Sequence, residues 1–170
     1  VPTQSREPVF VVEELVGAAL TRREDALGTW QVDLDIPSDL LVPVDPVLFE
    51  QVLTNLIDNA LKHAAPPIEL RARREGDLVV LEISDHGRGV PPELGTTLFD
   101  KFVRASTAPG AGLGLAVVRA IVEAHGGRAG VHNTASGGAC FRVELPADHP
   151  AAQRPPRDAL ALLPVRDPAT

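Results

Sequence analysis

The most regular alternation of apolar and polar positions runs from Asp45 to His63. Phe49, Val52, Leu53, Leu56, Ile57 and Ala60 recur at helical spacing and form one broad apolar face. Asp45 is a good N-cap, and Pro46 suits the first helical position, where its missing N–H costs nothing. Pro66-Pro67 stops the helix, because proline cannot continue the backbone ladder. A second helix is predicted over Val9–Leu27, with Val12, Leu15, Val16, Ala19 and Leu20 on one face and Gly28 to end it. A third opens at Gly110-Ala-Gly-Leu-Gly114, runs to about His125 and is closed by Gly126-Gly127.

Elsewhere the apolar period is two. Trp30, Val32, Leu34 and Ile36 predict a half-buried strand, followed by a turn at Pro37-Ser-Asp39 and a short strand over Leu40–Val44. Ile68, Leu70 and Ala72 alternate, Gly76-Asp77 makes a tight turn, and Leu78–Ser84 runs back as the second arm of a hairpin. Val131 and its neighbours form a strand. After a Gly137-Gly138 turn, Ala139, Phe141, Val143 and Leu145 share one face of another. This order predicts an α+β, two-layer sandwich: one mixed sheet with about three helices on one face. Residues 1–8 read as a lead-in, 9–145 as the domain, and 146–170 as a Pro-rich, mostly disordered tail.

Composition removes several function classes. A chain of 170 residues buries enough surface to fold without staples. The net charge of -7 argues against a nucleic-acid partner held by bulk electrostatics. One cysteine, Cys140, rules out an internal disulfide, and its place in an alternating strand suggests a structural role. No apolar run approaches the roughly 18 residues of a membrane span, and no signal peptide is visible. Val1 in place of methionine suggests a piece of a longer protein.

Four stretches carry candidate chemistry, the third in chain order being the apolar-basic cluster Leu98-Phe-Asp-Lys-Phe-Val-Arg104. Asn55, Asn59 and Lys62 lie at i, i+4 and i+7, one stripe beside the apolar face of the Asp45–His63 helix. Asparagine is a mediocre helix former, so the stripe is either a polar helix edge or a row of metal and phosphate contacts. Asn59 offers a carbonyl oxygen of the kind Mg2+ accepts beside phosphate oxygens and water, and Lys62 a positive charge for phosphate. Asp85 has the strand parity of the apolar residues Val79, Leu81 and Ile83, so its carboxylate points toward the covered side, a costly place unless something binds it. In Asp85-His-Gly-Arg-Gly89 the carboxylate could accept a hydrogen bond from an adenine amino group and the glycines admit a purine ring; a plain β-turn fits equally. Gly110–Gly114 feeds a helix N-terminus, a phosphate site by its exposed N–H groups, or simply a glycine-rich turn. It is neither a Walker A loop nor a Rossmann fingerprint.

In this order the stretches resemble the N, G1, F and G2 boxes of the histidine-kinase catalytic and ATP-binding domain, in the superfamily that includes gyrase, Hsp90 and MutL. The N box would be Glu50–Ala64, the G1 box Asp85–Gly89, the F box Leu98-Phe-Asp-Lys-Phe102 with Arg104, and the G2 box Gly110–Leu115. Within the family, Leu98–Phe102 and Gly137-Gly-Ala-Cys-Phe-Arg-Val143 are most similar to the Kdp-type potassium-responsive sensor kinases. The resemblance implies the Bergerat fold with a mobile ATP lid over Val90–Pro109, and ATP and Mg2+ as cofactors. It implies that Asp85 reads the adenine amino group, Asn59 holds Mg2+, Asn55 and Lys62 line the phosphates, and His63 lies near the nucleotide. Gly87, Gly89 and Val90 would shape the adenine pocket, and Gly110, Gly112, Leu113, Gly114 and Leu115 would close over the phosphates. Phe99, Phe102 and Arg104 would belong to the lid.

The departures matter. His86 replaces the usual asparagine, and its side chain is expected to face outward. The lid is short. None of the histidines His63, His86, His125, His132 and His149 sits in a phosphoacceptor signature. The resemblance therefore implies the ATP-binding half of a kinase, cytoplasmic and part of a membrane-anchored bacterial sensor. Its partners would be the kinase's own His-bearing dimerisation domain and, indirectly, a response regulator, with no nucleic acid and no direct membrane contact. An isolated fragment of this kind is not expected to phosphorylate itself. The rivals are a degenerate nucleotide-binding regulatory module and a gyrase- or Hsp90-type ATPase; the second lacks its water-activating glutamate, because Asn55 stands there.

Overall fold

A computed structural model describes residues 7–91, 99 and 114–147. The elements run β1 (Val9–Val11), α1 (Val12–Arg22), α2 (Glu24–Leu27), β2 (Val32–Asp35), β3 (Leu41–Pro43), α3 (Pro46–His63), β4 (Ile68–Glu75), β5 (Leu78–Ser84), α4 (Gly114–Ala124), β6 (Arg128–Asn133) and β7 (Ala139–Pro146). Five strands form one sheet in the order β2-β4-β5-β7-β6. Only β2 and β4 pair in parallel; the other neighbours are antiparallel, so the sheet is mixed as expected. Helices α1, α3 and α4 contribute Val16, Leu53, Leu56, Ile57, Val118 and Val122 to one core with Leu70, Leu81, Ile83, Phe141 and Val143 of the sheet. Burial of this apolar area drives the layers together.

α3 forms as its sequence dictates. The Asp45 carboxylate accepts from the N–H groups of Val47 and Leu48, at 2.9 and 3.1 Å, and Pro46 occupies the first turn. All six predicted face residues are buried. The hairpin β4–β5 turns at Gly76, whose φ of 57° is left-handed.

The N-terminal segment departs from expectation. Val9–Val11 is a strand, not the start of a helix; it pairs antiparallel with β3, Phe10 opposite Val42. The run Val9-Phe-Val-Val12 suits either period, and pairing with β3 decides it. Arg23 interrupts the helix that follows. Its guanidinium forks onto Asp58 of α3, Nε–Oδ1 2.8 Å and Nη2–Oδ2 3.1 Å, which ties α1 to α3 where α2 begins. Strand β2 is also less covered than its alternation suggests. It is an edge strand and Leu34 is 52% exposed.

The face of the sheet away from the helices is charged. Arg142 bonds Glu144, Glu82 and Glu75, at 2.9, 3.0 and 2.9 Å, and Arg73 also reaches Glu82. Burial alone would raise the Glu82 carboxyl, but hydrogen bonds and charge from Arg73 and Arg142 hold it below its ordinary value. Cys140 lies buried on this side of β7, and burial pushes its thiol up to about 11. It stays protonated and unreactive, in keeping with a structural role.

Candidate functional site

The site is built where the end of β5 meets the end of α3. Asp85 follows β5 and is 6% exposed, on the covered side as strand parity predicts. Its N–H donates to Ala139 O at 3.0 Å. Its carboxylate Oδ1 accepts from Gly87 N at 2.9 Å and Ala139 N at 3.2 Å. Among the described residues both bonds to the carboxylate fall on Oδ1, which fixes the group and leaves Oδ2 to accept from a ligand. Gly138 makes this closure possible. A Cβ there would fall on the Asp85 carbonyl oxygen, far inside contact distance.

The Asp85–Gly89 loop lies against the α3 terminus. His86 N donates to Ala65 O at 3.2 Å, and a Cβ on Gly87 would meet Ala64 Cα at 3.0 Å and His63 O at 3.3 Å. His63 closes α3. Partial burial, then the charge of Lys62, lowers its imidazole pKa below the ordinary value. His86 points outward as expected, with Nε2 3.7 Å from Glu69 Oε1. Further along, Gly89 has φ 75°, and a Cβ there would meet Asn133 Oδ1 and Gly137 O, each at 2.6 Å.

The stripe on α3 splits into two roles. Asn55 Nδ2 donates to Gly114 O at 3.2 Å and so holds the first residue of α4. Asn59 is half-buried and Lys62 exposed, and among the described residues neither side chain takes a hydrogen-bond or ionic partner. A half-buried amide without a partner fits a hard cation. No group of three or more His, Cys, Asp or Glu that could hold a metal occurs among the described residues. An ion at Asn59 would take its other ligands from phosphate oxygens and water.

Residues 44–149 match the family described as histidine kinase-, DNA gyrase B-, and HSP90-like ATPase. The chain belongs to that family. It is 47% identical to the sensor protein KdpD of Escherichia coli (strain K12) over 143 residues, which is 81% of this chain and 16% of that protein. The catalytic domain of histidine kinase ThkA superposes with a TM-score of 0.73 at 28% identity, covering 82% of this chain and 95% of that one. The ATP binding domain of PrrB from Mycobacterium tuberculosis superposes with a TM-score of 0.69 at 28% identity, covering 84% and 98%. The fold is that of a histidine-kinase ATP-binding domain, and the Kdp-type resemblance holds.

Within this family fold, the structure brings Asp85, Gly87 and His63 to one corner, with Asn55, Asn59 and Lys62 along the adjoining helix and Gly114 and Leu115 opening α4. Phe99 is the one described residue of the segment between Pro91 and Gly114. It is 8% exposed and meets Phe141 edge-on at 6.1 Å, so it packs into the core of the sheet. Phe102, Arg104, Gly110, Gly112 and Leu113 lie outside the described residues, as do residues 1–6, most of the segment read as a lid, and the tail beyond Ala147.

Asn133 is a site residue that the sequence did not disclose. Its Oδ1 accepts from Val90 N at 2.7 Å and its Nδ2 donates to Val90 O at 2.9 Å. One side-chain amide thus imitates a strand neighbour and pins Val90 where the chain leaves the Asp85 loop. An asparagine ending a strand before a turn is common, and nothing local marks this one. No helix among the described residues is long and apolar enough to cross a membrane.

Proposed function

We propose that this chain binds Mg2+-ATP and presents its γ-phosphate to a histidine on a helical dimerisation domain outside the chain, in a two-component pathway ending at a response regulator. Asp85 Oδ2 accepts the adenine amino group. Gly87, Gly89 and Val90 line the ring, Asn55 and Lys62 line the phosphates beside His63, and Asn59 ligates Mg2+. An ion held at Asn59 would supply neutralisation of phosphate charge; the residues supply position and electrostatics, which is most of what phosphoryl transfer needs. Gly110, Gly112, Leu113, Gly114 and Leu115 close over the phosphates, and Phe99, Phe102 and Arg104 serve the lid. The domain, residues 9–145, is the cytoplasmic part of a membrane-anchored bacterial sensor kinase, without nucleic-acid or direct membrane contact.

The observation that carries this reading is the Asp85 carboxylate, buried, fixed through one oxygen and, among the described residues, free at the other. The similarity to sensor histidine kinases supports the transfer step. A gyrase- or Hsp90-type ATPase is not favoured, because Asn55 spends its amide on Gly114 O and offers no base to water. Nor is a degenerate regulatory module favoured, since the relatives are sensor histidine kinases and the sequence keeps Asp85, Asn55 and Asn59.

Asp85→Asn tests the reading. Its carbonyl oxygen can keep the bonds from Gly87 and Ala139, so the fold survives, but its NH2 then faces the adenine amino group. A hydrogen bond to a charged group is worth roughly 1.5–3 kcal/mol, so ATP affinity falls about ten- to hundredfold and the preference over GTP erodes. Titration calorimetry with both nucleotides measures this. Unchanged affinity for ATP and GTP removes Asp85 from the site.

A further inference from the structure

His125 follows the last turn of α4 and uses both ring nitrogens. Nε2 lies 3.0 Å from Asp45 N, and Nδ1 lies 2.8 Å from Ile121 O. A backbone N–H only donates and a carbonyl only accepts, so Nε2 is the acceptor and Nδ1 carries the proton. The imidazole is therefore the neutral Nδ1–H tautomer. Asp45 is the N-cap of α3, so this ring clips the end of α4 to the start of α3. At the other end of α4, Gly114 O receives the Asn55 amide.

The two clips have matching spans. From Asp45 to Asn55 a helix rises roughly 15 Å, and from Gly114 to His125 about 16 Å. The helices thus run antiparallel and are tied at both ends. Between the ties α4 buries Leu115, Val118, Ile121 and Val122 in the apolar core it shares with α3 and the sheet. Apolar burial resists separation but is non-directional, so it tolerates a slide along the axis better than a hydrogen bond does.

We propose that His125 is a positioning residue for the nucleotide site. It fixes α4 axially against α3 and so sets where Gly114, the first residue of α4, stands relative to Asn55, Asn59 and Lys62. The role rests on the proposed function, since it acts on that site's phosphate end. It leaves the adenine end at Asp85, held by β5 and β7, untouched.

The test compares His125→Asn, which can keep the donor to Ile121 O but loses the acceptor, with His125→Gln, whose Oε1 can reach the place of Nε2. Affinities for Mg2+-ATP and for adenosine are measured by calorimetry on the whole chain. The Asn55 side-chain amide and the wild-type imidazole nitrogens are followed by NMR without nucleotide. His125→Asn weakens Mg2+-ATP about three- to tenfold, leaves adenosine unchanged and shifts the Asn55 amide signals, as expected for one neutral hydrogen bond. His125→Gln restores most of both. The wild-type ring shows the Nδ1–H tautomer. A His125→Asn variant with an unchanged ratio of ATP to adenosine affinity overturns the proposal, whatever its melting temperature, and so does an Nε2–H ring. A wild-type chain that binds no nucleotide sinks the site reading, and this proposal with it; normal binding by wild type and variants alike sinks the role of His125 alone.

Discussion

Asn59→Ala removes the Mg2+-dependent part of ATP binding and leaves the ligand-free fold at least as stable. Asn59 takes no partner among the described residues, so no internal bond is lost, and alanine is the better helix former. What goes is a single oxygen ligand for the ion. Adenosine, which needs only the adenine end at Asp85, keeps its affinity. Ligand stabilisation follows RT ln(1 + [L]/Kd), so a loss of about a hundredfold in affinity removes up to about 2.7 kcal/mol of stabilisation. A thermal-shift series on wild type and variant, with ATP with and without Mg2+ and with adenosine, measures it. An intact Mg2+-dependent shift in the variant makes the α3 stripe a polar helix edge and nothing more.

Gly138→Ala damages the adenine end. The added methyl collides with the carbonyl of Asp85, a backbone atom that cannot rotate away. Relief requires β7 to draw back from β5 at the point where Ala139 exchanges hydrogen bonds with Asp85. The expected loss of stability is about 1–3 kcal/mol, the range for overpacking a close contact. Adenosine affinity falls at least tenfold, because the Asp85 carboxylate loses a bond that orients it. Gly137→Ala is the control. Its φ of 95° makes any side chain strained, but no atom lies within 4 Å of the new Cβ, so it costs stability without moving Asp85. Denaturation and adenosine titration on both variants separate the two effects. Equal adenosine affinity in Gly138→Ala and Gly137→Ala contradicts the proposed coupling.

What the sequence disclosed and what it withheld divide along physical lines. The face of α3 was legible because it repeats over 18 residues and carries its own cap at Asp45. The burial of Asp85 was legible because strand parity is strict. The strand at Val9–Val11 was not, since three apolar residues satisfy either period and only the distant partner at Leu41–Pro43 chooses. The exposure of Leu34 was hidden for a similar reason: alternation tells which face a residue takes, not whether helices reach that far across the sheet. In the proposed site, Asp85, Asn55 and Asn59 stood out by residue type and spacing, and the resemblance to the family's boxes supplied their roles. The partners that hold the site in shape did not. Ala139 lies 54 positions from Asp85, Asn133 lies 43 from Val90, and His125 lies 80 from Asp45. Such contacts are written in topology, and no local pattern marks them.

The central claim is that this chain supplies ATP, and another domain supplies the histidine. It is tested by placing the chain behind a helical dimerisation domain that bears a phosphoacceptor histidine and adding γ-labelled ATP. The account predicts acid-labile, alkali-stable label on that histidine, dependent on Mg2+ and lost in Asn59→Ala, with no label on the isolated chain. Label on the isolated chain, or ATP bound tightly by the fusion with no transfer, would contradict it.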